Sequence, residues 1–588
     1  MTDPDSPQAA DATAVNSEVG EALRELEPGD LSANPPSAMG RTVARASTLM
    51  AAGTVVSRVT GVGRDIAMTA ALGFFIVSDA YSLGNSLPTV VYILVIGGAL
   101  NAVFVPQLVR RMKEDTDGGK AYADRLITLV ATVLLVMSIV AVVAAPWIVS
   151  LYTTDTFPAG EYDLAVAFAR LCLPQVFFYG LYTLLSQVLN SRGRFGMPMF
   201  APIANNVVAI ATFLLFIGIA GTSAASHGQL TTSQVLILGI GTTLGVIAQA
   251  VILIPVMWKS GYAWRPRFDW RGAGLGKAGT LAFWTIGLVL VNQATYVVIT
   301  RLATQANVNA ATAGVAAAGL TTYQKAHLVF LLPHSVITVS VVTAMLPALS
   351  RVAHDGRLDQ VGRDIAKTMR TVAALIVPVA MVLIINGASV AILLFGYGAA
   401  TTDQAGLMGL IVSVFMIGLL PFTLFYVLLR GYYALEDTRT PFFITIAFSV
   451  VLLITVLPLF SWARDGGRQV AAIALAYSLS YWVGFVITWI VLARRLGSMR
   501  SGPTVWGLTR IVIAGLISLS VMGLALLFLV NVLGGYHPAH KGELLIIVIV
   551  TSVVGLLTYV VAALALRVPE VAQVKDQARG VMHRVVHR

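Results

Sequence analysis

The chain has 588 residues, of which 57% are hydrophobic and only 11% are charged, and its formal net charge is +11. A soluble domain carries about 25% charged residues, so this composition excludes a soluble enzyme or a basic nucleic-acid-binding module and predicts an all-α polytopic membrane protein. The single cysteine, Cys172, excludes a disulfide framework within the chain and any multi-cysteine metal site. We therefore expect no cofactor and no nucleic-acid partner.

The chain begins with a polar segment, residues 1–42, which is rich in Asp, Glu, Ser, Pro and Ala and is predicted to be a disordered tail. Apolar runs follow one another from there to residue 566. Because about 20 apolar residues cross a bilayer, these runs predict fourteen transmembrane helices, centred near residues 58, 95, 134, 176, 209, 245, 287, 330, 382, 418, 450, 482, 518 and 554. A short basic tail, residues 567–588, ends the chain.

The loops alternate in charge along the chain. Lysine and arginine collect after the even-numbered spans, as at Arg110, Arg192 and Arg351, whereas the segments 146–160, 221–232 and 396–404 are almost free of them. Positive loops stay on the cytoplasmic side of a membrane, so both termini are predicted to be cytoplasmic.

Two pairs of prolines indicate an internal repeat. Pro106 and Pro347 close two similar apolar runs, Pro198 and Pro441 follow two similar basic loops, and the members of each pair lie about 240 residues apart. The repeat predicts two six-helix halves with pseudo-twofold symmetry, residues 43–258 and 259–494, followed by two added helices in residues 495–566. Transporters place their substrate site between such halves, and alternating access then follows from rocking of one half against the other.

The first span carries the strongest functional signal, because Arg58, Arg64 and Asp65 lie in an otherwise apolar stretch. A charge inside a spanning helix costs about 2.5–3.5 kcal/mol and usually faces a protein interior or water. Arginine grips phosphate oxygens through two parallel hydrogen bonds, so the cluster predicts an anion-binding site. The alternative is a topology signal at a helix end with a local Arg–Asp pair.

Polar residues also interrupt the second and seventh spans. In the second span, Asn85 is expected to face a cavity. Asp79 either joins it, caps its own helix or lies at the outer surface. In the seventh span, Asn292 and Tyr296 share one helical face and Arg301 follows them. The alternative for this face is hydrogen bonding between helices.

The eighth span carries Lys325 and His327, which are further candidates for the cavity wall. The alternative for Lys325 is that its ammonium group reaches the membrane surface. No span carries an HExxH motif, a catalytic pair of carboxylates or a glycine-rich phosphate loop, so a membrane-embedded enzyme is not expected.

Several sequence blocks together resemble one family, the MurJ (MviN) lipid II flippases of the multidrug/oligosaccharidyl-lipid/polysaccharide exporter superfamily. The similar blocks are residues 57–65, 79–80, 87–88, 102–106, 189–202 and 433–441. The resemblance implies a cationic cavity between two six-helix lobes, with the last two helices forming a groove for a lipid tail. It also implies that Arg58, Arg64, Asp65 and Asp79 are functional.

The chain departs from the family pattern at three positions where many relatives carry a cation. Those positions hold Ser86, Tyr92 and Leu328 here. Lys325, His327 and Arg301 are the candidates for replacing the lost charge.

The resemblance implies that the protein flips lipid II, an undecaprenyl-pyrophosphate-linked peptidoglycan precursor, from the cytoplasmic to the outer leaflet, with cavity arginines holding the pyrophosphate. It would be a multi-pass protein of a bacterial plasma membrane, and the Ala/Gly/Arg-rich composition favours an actinobacterium. Expected partners are lipid II, membrane lipids and proteins of cell-wall synthesis or division. The alternatives are an exporter of another polyprenyl-linked glycan or a drug, and a non-transporting scaffold recruited through residues 1–42.

Overall fold

The computed structural model describes residues 38–96, 119–192, 194, 196–269, 279–316, 318–497, 499 and 501–572. The chain divides into two compact units, Met1–Val55 and Val56–Arg588, and the described part of the first is helical from residue 38. The predicted polar tail lies almost wholly outside the described residues. So do residues 573–588 of the predicted basic tail and Pro106, one of the repeat prolines.

The described residues contain helices and no strand, as the composition predicts. The first ten helices are α1 Ala38–Leu72, α2 Ile76–Ile96, α3 Lys120–Val143, α4 Ala145–Tyr152, α5 Ala159–Cys172, α6 Gln175–Ser191, α7 Gly196–Ala220, α8 Thr232–Val251, α9 Ile254–Lys259 and α10 Gly279–Ala313. The next nine are α11 Leu320–Pro333, α12 Val339–His354, α13 Leu358–Phe395, α14 Thr402–Met416, α15 Leu419–Ala434, α16 Arg439–Trp462, α17 Gly466–Leu496, α18 Ser501–Val532 and α19 Lys541–Ala565.

Within the described residues, eleven helical segments are long and apolar enough to cross a membrane, or twelve if α14 and α15, which meet at 49°, form one bent span. These segments fall on the third to fourteenth predicted spans. The first two predicted spans fall on α1 and α2, which are not among these candidates. The chain is therefore a multi-span helical protein, and the count of fourteen stays a prediction.

Helices pack both on their neighbours in sequence and on helices further along the chain. In the first part of the chain α7 packs on α8, α2 on α5 and α3 on α6; in the second part α13 packs on α14 and α16 on α17. The hairpin of α18 and α19 packs on α13. Contacts between the two parts of the chain, residues up to 259 and residues 279–497, run through α2, which touches both α10 and α11, and through α4, which touches α10.

A proline sets the break within the fourth predicted span. The helix α5 ends at Cys172 and α6 begins at Gln175, with Leu173 and Pro174 between them. Proline has no backbone N–H to continue the helical ladder, so the helix breaks there. The break places the side chains of the first turns of α6, including Gln175 and Tyr179, in the wall of the central cavity described below.

Replacing Gly84 with alanine is expected to lower the melting temperature of the purified protein. Gly84 lies on α2, where an added Cβ would come within 2.6 Å of the Phe168 Cβ and 2.8 Å of the Ala169 backbone nitrogen. Backbone atoms cannot move aside cheaply, and overpacking costs about 1–3 kcal/mol. The control is Gly160→Ala on α5, where an added Cβ meets nothing within 4 Å. Equal melting temperatures for the two variants would contradict this packing.

Candidate substrate-binding cavity

A cavity of about 580 Å³ lies among helices from both predicted halves of the chain. Its wall is formed by α1, α2, α6, α7 and α8 on one side and by α10 and α11 on the other. Seven of the ten residues singled out in the sequence line it: Arg64, Asp65, Asn85, Asn292, Tyr296, Lys325 and His327. The polar interruptions in four separate predicted spans therefore converge on one space.

Asp65 is the centre of the charged group in this wall. Its side chain is buried, and its two carboxylate oxygens face two different cations. One oxygen contacts the Lys325 ammonium of α11 in a close ion pair, and the other lies 3.4 Å from the Arg64 guanidinium. A buried carboxylate requires such partners, because an unpaired charge in a low-dielectric interior is costly. The Asp65–Lys325 pair thus joins α1 to α11, 260 positions further along the chain.

Lys325 occupies the interior of the protein. Only 8% of its side chain is exposed, so the alternative in which its ammonium group reaches the membrane surface is wrong. The sequence around Lys325 does not reveal that Asp65 is its partner, because Asp65 lies in another helix. Of the three candidates for the missing family cation, Lys325 and His327 line the cavity, and Lys325 is the one that pairs with a carboxylate.

Arg64 faces both the carboxylate and the open space. Its guanidinium donates to the Asn206 side-chain oxygen at 3.4 Å, and 37% of the side chain is exposed. Asn206 in turn donates to the Ser57 carbonyl at 3.1 Å and the Thr60 hydroxyl at 3.0 Å. Asn206 is not among the residues predicted from the sequence, although a polar amide within an apolar span is itself a signal.

His327 lies in an aromatic part of the wall. Its ring stacks on Tyr323, with the centroids 5.9 Å apart, and its Nε2 atom lies 3.1 Å from the Tyr477 hydroxyl. Phe330 and Phe415 complete the surroundings. His327 therefore lies in a mostly aromatic setting, whereas Arg64 and Lys325 flank a carboxylate.

The uncharged polar residues form the rest of the predicted face. Tyr296 accepts a hydrogen bond from Gln324 at 3.1 Å, which links α10 to α11. Asn292 is exposed and donates to the Leu288 carbonyl of its own helix at 3.0 Å. Asn85 is half-buried in the wall. These groups offer hydrogen bonds to a polar ligand but add no charge.

Two of the predicted cations lie outside this cavity wall. Arg58 and Arg301 are both exposed, and neither lines the cavity. Arg58 lies two turns before Asp65 on the same helical face, but this earlier part of α1 is exposed at Val56 and Val59 as well. The apolar sequence around Arg58 does not reveal whether other helices cover this turn of α1.

Asp79 lies deeper in the protein and does not cap its own helix. Its carboxylate accepts hydrogen bonds from the backbone N–H groups of Leu320 at 2.9 Å and Thr321 at 2.7 Å, and from Asn307 at 2.8 Å. It therefore caps the first turn of α11 from α2. The first N–H groups of a helix have no partner within it, and a carboxylate there is favoured by the helix dipole.

Further contacts near Asp79 join the two parts of the chain. The Ser82 and Thr321 hydroxyls lie 2.8 Å apart, and the Thr304 hydroxyl donates to the Tyr152 carbonyl at 3.2 Å. The Ala399 N–H donates to the Ala70 carbonyl at 2.8 Å. The cavity is thus closed on the side of the loops that follow α1, α4 and α13.

The arrangement suits binding of an anion rather than covalent chemistry. Among the described wall residues there are one arginine, one lysine and one carboxylate, and both basic side chains already contact that carboxylate. The described residues include one group with metal-ligand geometry. It lies in the loop between α18 and α19 and in the first turn of α19, and none of its members lines the cavity.

Known proteins resemble the chain in sequence and in fold. The family described as "Lipid II flippase MurJ" matches residues 68–561. A "Probable lipid II flippase MurJ" from Rhizobium meliloti (strain 1021) is 27% identical over 500 residues, which cover 82% of this chain and 87% of the relative.

Two solved structures share the fold. One is described as "Lipid II flippase MurJ, inward closed conformation"; it has a TM-score of 0.68 at 19% identity and covers 88% of this chain and 99% of its own. An inward-facing multidrug resistance MATE transporter of the MOP superfamily has a TM-score of 0.53 at 15% identity, covering 74% and 95%. The family match spans most of the chain and confirms the resemblance seen in its motifs. The protein belongs to the lipid II flippase MurJ family and is a multi-pass plasma-membrane transporter rather than an enzyme.

Proposed function

We propose that this protein moves lipid II from the cytoplasmic to the outer leaflet by alternating access. The observation that carries the proposal is the cavity between the two parts of the chain, in which Arg64 and Lys325 flank one buried carboxylate. A pyrophosphate-linked lipid needs a cationic, water-accessible path through the membrane for its head group. The family membership supplies the substrate.

Arg64 is proposed to hold the pyrophosphate. Its guanidinium is partly exposed to the cavity, and the contact to Asp65 is long at 3.4 Å, so donors remain available. A guanidinium can donate two parallel hydrogen bonds to adjacent phosphate oxygens. While the cavity is empty, Asp65 keeps both cations in place. An arriving pyrophosphate competes with Asp65 for Arg64 and Lys325, which weakens the link between α1 and α11.

Arg58 is proposed to meet the substrate before Arg64 does. It lies six residues earlier on α1, or about 9 Å along the helix axis, and its side chain is exposed. Asn85, Asn292 and Tyr296 would then offer hydrogen bonds to the sugar and peptide parts of the head group. Both termini are proposed to be cytoplasmic, which follows from the alternating charge of the loops.

Complementation of a strain depleted of its own lipid II flippase tests the function. The wild-type chain is expected to restore outward supply of lipid II, whereas Arg64→Ala should fail at unchanged membrane abundance. Arg58→Ala should also fail, and Arg58→Lys should remain defective, because lysine offers only a point charge.

The competing functions predict other outcomes of the same experiment. An exporter of another polyprenyl-linked glycan or a drug would leave lipid II supply unrestored while its own substrate accumulates inside. A scaffold would tolerate the loss of Arg58 and Arg64 but fail when residues 1–42 are removed.

Crosslinking of the two parts of the chain is expected to stop transport. In a background of Cys172→Ala, cysteines replace Thr156 and Gln305, whose side chains hydrogen-bond at 2.6 Å across the closed side. Joining them with a short thiol-specific crosslinker should block opening of that side, and reduction should restore activity. A control pair at Asp437 and Arg495, which contact each other between the loop before α16 and the end of α17, should leave transport intact. Transport by the Thr156–Gln305 crosslinked protein would rule out rocking of the halves.

A further inference from the structure

The junction between α18 and α19 carries a group of side chains that do not line the cavity. These are His537, His540 and Glu543, and one ligand atom from each lies within 4.8 Å of the others. The Nδ1 atom of His537 is 3.0 Å from one carboxylate oxygen of Glu543, and the Nδ1 atom of His540 is 2.9 Å from the other. Two imidazoles thus converge on one carboxylate.

The backbone holds these side chains together. The His540 N–H donates to the His537 carbonyl at 3.0 Å, so the loop turns between the two histidines, and Glu543 lies in the first turn of α19. Gly535 has a φ of 145°, and a Cβ there would come within 3.2 Å of the His537 ring. Only glycine adopts this conformation readily, and it leaves room for the imidazole.

Two further contacts fix the loop to α13. The Tyr536 hydroxyl lies 3.0 Å from the Ser389 hydroxyl. The Lys541 ammonium donates to the Ile392 and Gly396 carbonyls, at 2.8 Å each. Because the loop is anchored at both ends of the group, little further ordering is needed to assemble a site.

The ligand chemistry is that of a borderline transition metal ion. Zinc binds imidazole nitrogen and carboxylate oxygen at about 2.0–2.2 Å, often through three protein ligands with water in the fourth position. The ligand atoms of a tetrahedral zinc site lie about 3.4 Å apart, so the two imidazole–carboxylate spacings of 2.9–3.0 Å require only a small opening. All three ligand atoms already lie within 4.8 Å of one another. The side chains are 30–62% exposed, so an ion and its water can enter from solvent.

We propose that His537, His540 and Glu543 bind one Zn²⁺ ion. The ion would join the 533–540 loop to the first turn of α19. Through Tyr536 and Lys541 it would also fix the α18–α19 hairpin against α13. This site is independent of the substrate cavity, so its failure would leave the proposed transport function untouched.

Zinc binding to the full chain tests the proposal. The protein is purified in detergent with a tag that contains no histidine, stripped with a chelator, and titrated with zinc chloride against a chromophoric zinc indicator. Bound zinc is then counted by mass spectrometry. The wild-type chain should hold one more ion than His540→Ala or Glu543→Gln, each of which should weaken binding by at least about tenfold. Zinc should raise the melting temperature of the wild-type protein but not that of His540→Ala or Glu543→Gln.

A matched control separates this site from general histidine binding. His354→Ala removes an exposed histidine at the end of α12 and should bind zinc like the wild-type chain. Glu543→Gln keeps the size of the side chain, so its zinc-free melting temperature reports whether the fold is intact. Equal zinc content in the wild-type and Glu543→Gln proteins, or no zinc retained by the wild-type protein, would overturn the proposal.

Discussion

Replacing Lys325 with methionine is expected to abolish transport and to lower stability. The change removes the close partner of Asp65 and leaves that buried carboxylate with only the long contact to Arg64. Breaking a buried ion pair from one side costs about 3–5 kcal/mol, because the remaining charge stays buried without compensation. We expect no complementation of a depleted strain and a lower melting temperature of the purified protein.

The double variant Asp65→Asn with Lys325→Met separates structure from function. It removes both charges, so stability should recover while transport stays lost. Lys325→Arg should keep the pair and part of the activity. Lys367→Met, which removes an exposed lysine on α13, is the control and should behave like the wild-type protein. Full activity of Lys325→Met would show that the link between α1 and α11 is dispensable.

Replacing Asp79 with alanine is expected to open the closed side of the cavity. The change leaves three donors without an acceptor: the N–H groups of Leu320 and Thr321 and the Asn307 amide. Hydrogen bonds to a charged group contribute about 1.5–3 kcal/mol each, so the balance between closed and open forms should shift strongly. The measurement is labelling of a cysteine at Thr321 by a membrane-impermeant thiol reagent, in a background of Cys172→Ala.

Labelling should rise and transport should fall in Asp79→Ala. The control is Asp403→Ala, which removes an exposed carboxylate in the first turn of α14, next to the loop that follows α13. That variant should label and transport like its parent. If Asp79→Ala labels no faster than Asp403→Ala, the carboxylate does not keep this side closed.

Hydropathy and charge were enough to predict the helical class and the position of most helices. An apolar run identifies a spanning helix regardless of its neighbours, so predicted spans 3–14 coincide with helical segments. Breaks inside a run are less visible. The bend between α14 and α15 falls near Gly418, in a continuous apolar stretch that is predicted from the sequence to be one span.

The cavity residues were predictable because a polar side chain in an apolar helix needs a partner or water. That rule identified Arg64 and Asp65 in the first span, and Lys325 in the eighth, as candidates. It could not pair Asp65 with Lys325, since contact between distant helices depends on how they pack. It also predicted that Arg58 faces the cavity, whereas that turn of α1 is exposed and Arg58 does not line the cavity.

Asp79 shows a further limit of local sequence signals. An aspartate in the first turn of a helix normally favours capping of that helix, and this was the alternative considered for it. The carboxylate instead caps α11, because the chain brings Leu320 and Thr321 against α2. A cap supplied by another helix leaves no trace in the sequence around either residue.

Direct measurement of lipid II movement tests the central claim most sharply. The purified chain is reconstituted into vesicles that carry labelled lipid II, and appearance of the head group on the opposite face is followed with a membrane-impermeant probe. Wild-type protein should accelerate the movement. Arg64→Ala should lower the apparent affinity for lipid II by about tenfold to a hundredfold, which corresponds to loss of one charge-assisted contact. Movement no faster than in protein-free vesicles, or equal affinity for the two proteins, would contradict the account.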